Sequence, residues 1–354
     1  MQYYPQLIID ALKQVRYPGN GKNLVENEMV EDDIRIDGNK ISFSLIFDKQ
    51  NDPFMKSVVK AAEQAILTFV DEAADIKGNI AVKFRKPIPV APEKPLSQVK
   101  HVIAVSSGKG GVGKSTVSAN LAVALASKGY KVGLLDADVH GPSIPKMFAI
   151  EDARPLLNEV EGKDLIVPIE KYGVKILSIG FFVDPDSPVI WRGGMASNAV
   201  KQLINEGDWG ELDYFLIDLP PGTSDIHLTI VQALQLAGAI VVTTPQPVAL
   251  ADARKGINMF RNDKIDVPVW GIVENMAWFT PAELPENRYY IFGKDGGKNL
   301  AEELGTALLG QIPLVQSIRE GGDEGLPIAL QEGHPAAACF LQVADNIIAR
   351  DDAQ

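Results

Sequence analysis

The sequence contains almost no cysteine. A single one, Cys339, is found among its 354 residues. This excludes an intrachain disulfide and every metal site that needs a pair of cysteines from one chain. Histidine offers no substitute, because the four histidines share no spacing typical of a metal site: His101, His140, His227 and His334.

Acidic residues outnumber basic residues in this sequence. Lysine and arginine number 34 against 46 aspartates and glutamates, which gives a net charge of −12. We expect neither nucleic acid nor a membrane surface as a partner, because both are bound largely through neutralisation of phosphates. Residues 1–15 lack a basic segment ahead of an apolar run, so no signal peptide is predicted. No apolar run reaches the roughly 18 residues of a spanning helix, and a cytoplasmic location is the simplest expectation.

A proline-rich stretch divides the chain. Residues 86–95 read KPIPVAPEKP, which can continue neither a helix nor a central strand. We therefore predict a linker at 86–97 between an N-terminal domain at 1–85 and a larger domain at 98–354. In the first domain the hydrophobic pattern predicts a small α+β fold with two helices and one strand, at 4–15, 55–69 and 41–47.

Beyond the linker, short apolar runs alternate with helical patterns. Strands are predicted at 102–105, 131–135, 174–179, 214–217, 239–243, 269–273 and 308–312. Helices are predicted at 115–128, 195–206, 225–236, 248–260, 298–304 and 336–348. This alternation predicts an α/β fold with a mostly parallel, doubly wound sheet, which binds ligands at the carboxyl ends of its strands.

Residues 108–115, GKGGVGKS, match the phosphate-binding motif G-x-x-x-x-G-K-[ST] between a predicted strand and a predicted helix. Lys114 is predicted to contact the β- and γ-phosphates, Ser115 to offer its hydroxyl to Mg²⁺, and Thr116 to support the α-phosphate. The loop backbone would wrap the phosphates through these residues: Gly108, Lys109, Gly110, Gly111, Val112 and Gly113. The pattern thus predicts a P-loop NTPase that binds ATP with Mg²⁺.

Carboxylates follow two of the predicted strands. Asp218 ends the run 214–217 and is predicted to hold Mg²⁺ through water. Asp136 and Asp138 follow the run 131–135, and we expect Asp136 to hold its loop or the water shell of the metal. Gly222, shortly after Asp218, could present its N–H to a γ-phosphate.

A weaker signal concerns the nucleobase. Asn275 follows the strand predicted at 269–273 and could recognise adenine through its amide. Pro245 and Gln246 follow the strand at 239–243 and could form a wall beside the base. The alternative is that Asn275 is only a turn former, which is a common role of asparagine at a strand end.

The loop contains a second lysine, Lys109, ahead of the motif lysine. In this respect it resembles the deviant P-loop of the family that includes nitrogenase iron protein, the ParA and MinD ATPases and the Mrp-like ATPases. The resemblance implies a homodimer in which Lys109 reaches the nucleotide of the partner subunit and stabilises charge there. It also implies slow ATP hydrolysis in which Asp138 orients the attacking water.

Four further stretches narrow the resemblance to the Mrp/ApbC family of iron–sulfur cluster carrier ATPases. They read LLDADVHGPSIPKM at 134–147, PVIWRGGMASNAVKQLI at 188–204, WGELDYFLIDLPPGTSD at 209–225 and VENMAWF at 273–279. Residues 1–85 resemble the small iron–sulfur-assembly-type domain that precedes the ATPase in many members. The resemblance implies an iron–sulfur cluster and, as partners, iron–sulfur apoproteins or assembly proteins.

The sequence departs from this family at its cluster site. Members carry Cys-x-x-Cys shortly after Glu-Asn-Met, so that a dimer offers four thiolates to one cluster, whereas residues 280–288 here read TPAELPENR. ATP binding and hydrolysis are therefore expected to carry over, but cluster binding through this site is not. Two alternatives stay open: a nucleotide-switched scaffold or partitioning-type ATPase without a cluster, and a small-molecule kinase.

Overall fold

The computed structural model describes residues 3–49, 51–85, 96–139, 141–160, 162–182, 194–223, 225–281, 283–284 and 286–351. The chain divides into two compact units, Met1–Pro92 and Glu93–Gln354. Most of the linker predicted at 86–97 lies outside the described residues.

The first unit is a small mixed sheet with two helices. Its elements are α1 (Pro5–Leu12), β1 (Arg35–Asp37), β2 (Lys40–Phe47), α2 (Met55–Phe69) and β3 (Ile80–Phe84). The central strand β2 pairs antiparallel with β1 and parallel with β3. The α+β prediction is confirmed, as are the helices and strand predicted at 4–15, 55–69 and 41–47. The pattern did not predict β1 and β3, which are short and largely exposed.

The described residues of the larger unit form these strands: β4 (Val99–Ser107), β5 (Val132–Asp136), β6 (Leu157–Val160), β7 (Lys163–Ile166), β8 (Ile169–Lys171), β9 (Val174–Ser178), β10 (Leu212–Asp218), β11 (Gly238–Thr243), β12 (Val269–Glu274) and β13 (Leu308–Gln311). Eight of them make one sheet in the order β13-β12-β11-β4-β10-β5-β9-β8. All neighbours are parallel except the edge strand β8. Every strand predicted after the linker is confirmed within a few residues.

The helices of this unit are α3 (Lys114–Ser127), α4 (Ile144–Met147), α5 (Gly194–Glu206), α6 (Asp225–Ala233), α7 (Pro247–Phe260), α8 (Gly296–Glu303), α9 (Gln316–Glu324) and α10 (Pro335–Asp351). Alternate residues of a strand pack into two hydrophobic cores, one on each face of the sheet. Ile103 and Val105 belong to one core, and Val102 and Ala104 belong to the other. Helix α3 packs in the first core and α5 in the second, so the sheet is covered on both faces. The doubly wound prediction is confirmed. Among the described helices, none is long and apolar enough to cross a membrane.

Some elements were not predicted, and their composition explains why. The helix α9 reads QSIREGGDE and buries only Gly321, so it has almost no apolar face. Helix α4 has four residues, too few for a period to show. The strands β6 and β7 pair with each other as a separate hairpin, and β6 is exposed along its whole length.

Helix α3 is surrounded by protein on all sides. Residues 117–125 are all buried, because α10 and the 3₁₀ turn Ile328–Leu330 cover the side that faces away from the sheet. Asn120 therefore needs internal partners, and its amide donates to Thr116 O at 2.9 Å while its oxygen accepts from the Ala329 N–H at 2.9 Å. The helix that follows the phosphate loop is therefore held in place by packing on both of its sides and by the hydrogen bonds of Asn120.

We predict that Gly325→Ala destabilises the protein more than Gly305→Ala. Both glycines have positive φ, +73° and +59°, so each alanine would be strained by about 1–2 kcal/mol. A Cβ at Gly325, however, would lie 2.3 Å from the Cβ of Ala149, whereas nothing lies within 4 Å at Gly305. Thermal unfolding should show the larger decrease in Tm for Gly325→Ala, and equal decreases would contradict the close packing of α9 against the residues after α4.

Candidate nucleotide-binding site

The carboxyl ends of neighbouring strands carry polar side chains in register. Asp218 on β10 lies beside Val105 on β4 and Asp136 on β5, and Asp136 lies beside Ser178 on β9. Their polar side chains are buried in the larger unit. The predicted carboxylates are therefore neighbours, at the edge where a parallel sheet binds its ligands.

The phosphate loop connects β4 to α3. Gly111 and Gly113 have φ near +80°, a conformation that glycine adopts without strain, and Gly113 is the N-cap of α3. Gly108 lies against α7, since a Cβ there would be 2.1 Å from the Asp252 carbonyl carbon. The loop thus has the left-handed turns and the close packing that the glycines of the motif indicate.

Three predicted residues meet at one carboxylate. The Lys114 ammonium lies 2.7 Å from Asp218 Oδ2, and the Ser115 hydroxyl donates to the same oxygen at 2.6 Å. Lys114 is 6% exposed and Asp218 is fully buried, so this ion pair is shielded from water. The predicted phosphate ligand and the predicted magnesium ligands are therefore in direct contact.

The other oxygen of this carboxylate has a partner that we did not predict. Ser118 lies one turn further along α3 and is fully buried, and its hydroxyl donates to Asp218 Oδ1 at 2.5 Å. The spacing from Ser115 could have indicated this, because residues three apart share one face of a helix.

Asp136 holds the loop that follows β5. It accepts hydrogen bonds from the Ser178 hydroxyl at 3.0 Å and from the amides of Asp138 and Ile144 at 3.2 Å each. Burial, and then the charge of Asp218, raises the Asp136 pKa to about 7, against the opposing effect of Lys114. Both oxygens thus have donors from the protein, which is the first of the two roles expected for this residue.

A cavity of about 220 Å³ lies over the loop and is lined by residues 109–116 together with Ser107, Asp138, Ser143, Met147 and Pro221. It contains the predicted catalytic residues Lys109, Lys114 and Asp138. Gly222 differs from expectation. Its N–H donates to Ser107 O at 2.8 Å, because the turn after β10 is bonded to the end of β4 and the N–H is not available to a phosphate.

A second cavity, of about 350 Å³, adjoins the first and shares Gly113, Thr116, Ser143 and Met147 with it. Its other lining residues are Lys146, Asn275, Met276, Pro313, Leu314, Val315, Ile318, Arg319, Gly322 and Asp323. It therefore lies between α4 and α9, next to the phosphate loop. Its mainly apolar lining beside a phosphate site is suited to a nucleobase.

Of the three residues predicted to contact the base, only Asn275 lines this cavity. Asn275 lines this cavity, but its side-chain N–H donates to Val112 O at 2.8 Å, so the amide supports the phosphate loop. Pro245 and Gln246 lie elsewhere. Gln246 is the N-cap of α7, and Pro245 packs against Gly296, whose Cβ would lie 2.5 Å from the Pro245 carbonyl oxygen. Pro245 and Gln246 do not line this cavity, whose walls include α4 and α9.

Comparison with known proteins agrees with this geometry. Residues 98–348 match the family model described as "NUBPL iron-transfer P-loop NTPase" within the ParA group, and residues 5–77 match an iron–sulfur cluster assembly protein family. The chain belongs to the iron-transfer P-loop NTPase family. The resemblance drawn from the motifs is thereby confirmed.

Two relatives of this iron-transfer NTPase match nearly its whole length, and two solved structures match about two thirds of it or more. The iron–sulfur cluster carrier proteins of Synechocystis sp. and Aquifex aeolicus are each 42% identical, over 97% and 96% of this chain and 96% of each relative. A nucleotide-binding protein of Archaeoglobus fulgidus in complex with ADP is 36% identical over 70% of this chain and 94% of its own, with a TM-score of 0.59. The septum site-determining protein MinD of Pyrococcus horikoshii, 24% identical with a TM-score of 0.51 over 70% of this chain and 96% of its own, shares the fold.

The NTPase has another buried carboxylate, Glu274 at the end of β12. It accepts hydrogen bonds from the amides of Gly297 and Lys298 at the start of α8 and from the Gln311 side chain of the next strand. The sequence pattern did not reveal this role, although an acid that ends an apolar strand is a signal for such a contact. Glu274 therefore fixes α8, and Asn275 beside it fixes the phosphate loop.

Between these anchors lies the segment 276–295. It contains residues 280–288, where the resemblance predicted the cluster site and where this sequence has no cysteine. The backbones of Phe279 and Tyr289 exchange two hydrogen bonds of 2.8 Å, and the Arg288 guanidinium lies 4.4 Å from the Trp278 ring centre. Ala282 and Pro285 lie outside the described residues. Among the residues that are described, no group of three or more histidines, cysteines or acids could hold a metal ion.

Cys339 lies on α10 and is partly buried, and its thiol donates a hydrogen bond to Pro335 O at 3.4 Å. Burial raises the pKa of this thiol, and the positive charge of Arg288 opposes the shift. The thiol is thus within electrostatic reach of the 276–295 segment, although it is distant in sequence. A neutral thiol is a poor metal ligand.

We predict that Lys114→Ala lowers the free energy of unfolding without nucleotide by about 3–5 kcal/mol, because it leaves the Asp218 charge buried without its partner. Adding Asp218→Asn should recover much of this loss, since the neutral amide needs no counter-ion. Denaturant unfolding measures both changes.

The control is Lys128→Ala, which removes a pair with Asp345 at the other end of α3. That pair joins side chains that are 27% and 53% exposed, so its loss should cost less than about 1 kcal/mol. A double variant no more stable than Lys114→Ala would show that the ion pair does not stabilise the site.

Proposed function

We propose that the protein binds ATP with Mg²⁺, hydrolyses it slowly, and acts in the assembly of iron–sulfur clusters or their transfer to apoproteins. The observation that carries this proposal is the meeting of Lys114 and Ser115 at Asp218 beside the two adjoining cavities. Relatives named iron–sulfur cluster carrier protein supply the assignment to cluster assembly.

The residues present fit a magnesium nucleotide. Lys114 would contact the β- and γ-phosphates, and Ser115 and Asp218 offer the hard oxygen ligands that Mg²⁺ prefers. The base would enter the cavity between α4 and α9, where Asn275 Oδ1 can accept a hydrogen bond while its N–H holds the loop. Asp138 at the rim of the phosphate cavity would orient the attacking water. The bound ion would lower the charge on the phosphates during transfer.

Lys109 supports a dimeric site. It lines the phosphate cavity and is partly exposed, and within the described residues its ammonium has no ion-pair partner. A second copy of the chain would bring this lysine to the neighbouring nucleotide. In this proposal the homodimer works in the cytoplasm, the compartment that suits a chain with a single cysteine.

The test of this proposal is subunit mixing. Lys109→Ala alone should bind ATP with unchanged affinity but hydrolyse it on the order of 10³-fold more slowly, as expected for a charge supplied in trans. A mixture of Lys109→Ala and Lys114→Ala subunits should regain activity at one site of each heterodimer, because that site has both lysines.

The readout is ATP turnover together with a direct measurement of heterodimer formation. If heterodimers form and stay inactive, Lys109 does not act across the interface. If unmixed wild-type protein neither binds nor hydrolyses ATP, the proposed function itself is wrong.

In this proposal the cluster is cargo, and the residues of this chain do not fit the four-thiolate site of the family. A homodimer has two thiols, one Cys339 from each subunit, whereas a [4Fe–4S] cluster usually takes four thiolates. Glu283 and Glu286 in the corresponding segment are hard oxygen ligands, which suit iron–sulfur clusters poorly. We propose that a protein partner supplies the thiolates.

We expect little iron to remain after anaerobic reconstitution with iron and sulfide followed by desalting. Cys339→Ser should leave the retained iron unchanged, because this thiol is partly buried and has a raised pKa. Metal analysis and visible absorbance give the measurement.

About four irons per dimer that survive desalting would contradict this expectation. A further assay separates the alternative, a nucleotide-switched scaffold that does not handle clusters. With a cluster-loaded donor and an apo-ferredoxin as acceptor, an assembly role predicts that the chain and ATP change the transfer rate, and a scaffold without a cluster role predicts no change.

A further inference from the structure

The two oxygens of the Asp218 carboxylate have different partners. Oδ2 accepts from Lys114 and Ser115, at 2.7 and 2.6 Å, whereas Oδ1 accepts from Ser118 at 2.5 Å. Asp218 and Ser118 are both fully buried in the described structure. Each oxygen of this carboxylate is thus satisfied by the protein.

Ser118 has a choice of acceptors. Its hydroxyl oxygen also lies 3.1 Å from Lys114 O, one turn back along α3. A hydroxyl has one proton to donate, and the shorter contact to a charged acceptor is the stronger one. The proton therefore goes to Asp218.

The partners of Oδ2 are the groups that a magnesium nucleotide would engage. When Lys114 contacts a phosphate and Ser115 contacts Mg²⁺, the Asp218 carboxylate loses both donors while it stays buried beside Asp136. Ser118 is the donor that no part of the nucleotide requires. Its bond to Oδ1 can therefore persist through this exchange.

We propose that Ser118 is a positioning residue that keeps the Asp218 carboxylate in one orientation while Lys114 and Ser115 turn from it to phosphate and Mg²⁺. Without this bond the carboxylate could rotate about its χ2 torsion, which is broad for aspartate. It would then present no fixed oxygen toward the metal. This role rests on the proposed function, because it concerns the magnesium-dependent part of nucleotide binding.

A purely structural role for Ser118 makes a different prediction. A small buried residue on a helix surrounded by protein could be required only for packing, and its hydroxyl could be satisfied by Lys114 O. In that case its loss would weaken folding and would affect nucleotide binding equally with and without metal. The dependence of affinity on Mg²⁺ therefore separates the two roles.

The experiment measures the affinity for ADP by calorimetry, once with Mg²⁺ and once with EDTA, in wild-type protein and in Ser118→Ala. We expect the gain in affinity from Mg²⁺ to fall by about tenfold, the value of one hydrogen bond to a charged group. The affinity in EDTA should stay within about twofold, because Lys114 is unchanged.

Two sets of variants serve as controls. Ser127→Ala removes a hydroxyl from the same helix that donates to Ala124 O at 2.8 Å, away from the carboxylate, and should leave both affinities unchanged. Ser118→Thr and Ser118→Val have nearly the same shape, but only threonine keeps the hydroxyl. Threonine should preserve the gain from Mg²⁺ and valine should lose it, even if Ser118→Ala folds poorly.

Each outcome decides between the roles. An unchanged gain from Mg²⁺ in Ser118→Ala, or equal behaviour of the threonine and valine variants, would overturn the positioning role and leave the proposed function intact. Wild-type protein that binds no nucleotide under either condition would overturn the proposed function and this role together.

Discussion

The buried ion pair between Lys114 and Asp218 constrains the arrangement of the site around it. A charge in the interior is strongly destabilising unless an opposite charge and hydrogen-bond donors surround it. Asp218 meets this condition with Lys114, Ser115 and Ser118, all contributed by the first turns of α3. The start of α3 is therefore held against the end of β10. The phosphate loop must span the remaining gap, which it does with Gly111 and Gly113 in left-handed conformations.

A second buried carboxylate at the same edge of the sheet, Glu274, accepts its hydrogen bonds from backbone and side-chain amides. In the register of the sheet Glu274 lies between Thr243 and Gln311, and its carboxylate also accepts hydrogen bonds from the first amides of α8. The next residue, Asn275, donates to the phosphate loop. Two adjacent residues thus connect the nucleotide site to both ends of the 276–295 segment. A displacement of the loop by a nucleotide would act directly on the strand end from which this segment begins.

The sequence predicted those parts of the structure that depend on local pattern. The parallel strands are continuous apolar runs, and the phosphate loop is a motif, so both were located within a few residues. Three features depend on contacts between distant parts of the chain, and the local pattern does not identify the partners in these contacts. Helix α9, which forms part of the cavity wall, shows almost no apolar face in its sequence. The Asn275 amide forms a hydrogen bond with a residue 163 positions away, and Glu274 forms hydrogen bonds with residues beyond the next loop. In each case the partner is chosen by the fold.

The 276–295 segment shows why the NTPase half of this family can persist without the cysteine pair. A loop that depends on a cluster for its structure would lose its anchors when the ligands are replaced. Here Glu274 and Asn275 fix the start of the segment, the α8 amides fix its end, and the Phe279–Tyr289 pairing holds its middle. None of these contacts uses a thiolate. Apart from Met276, which lines the second cavity, the described residues of this segment line neither cavity and take no part in the Lys114–Asp218 pair, so the candidate nucleotide site is built without any thiolate.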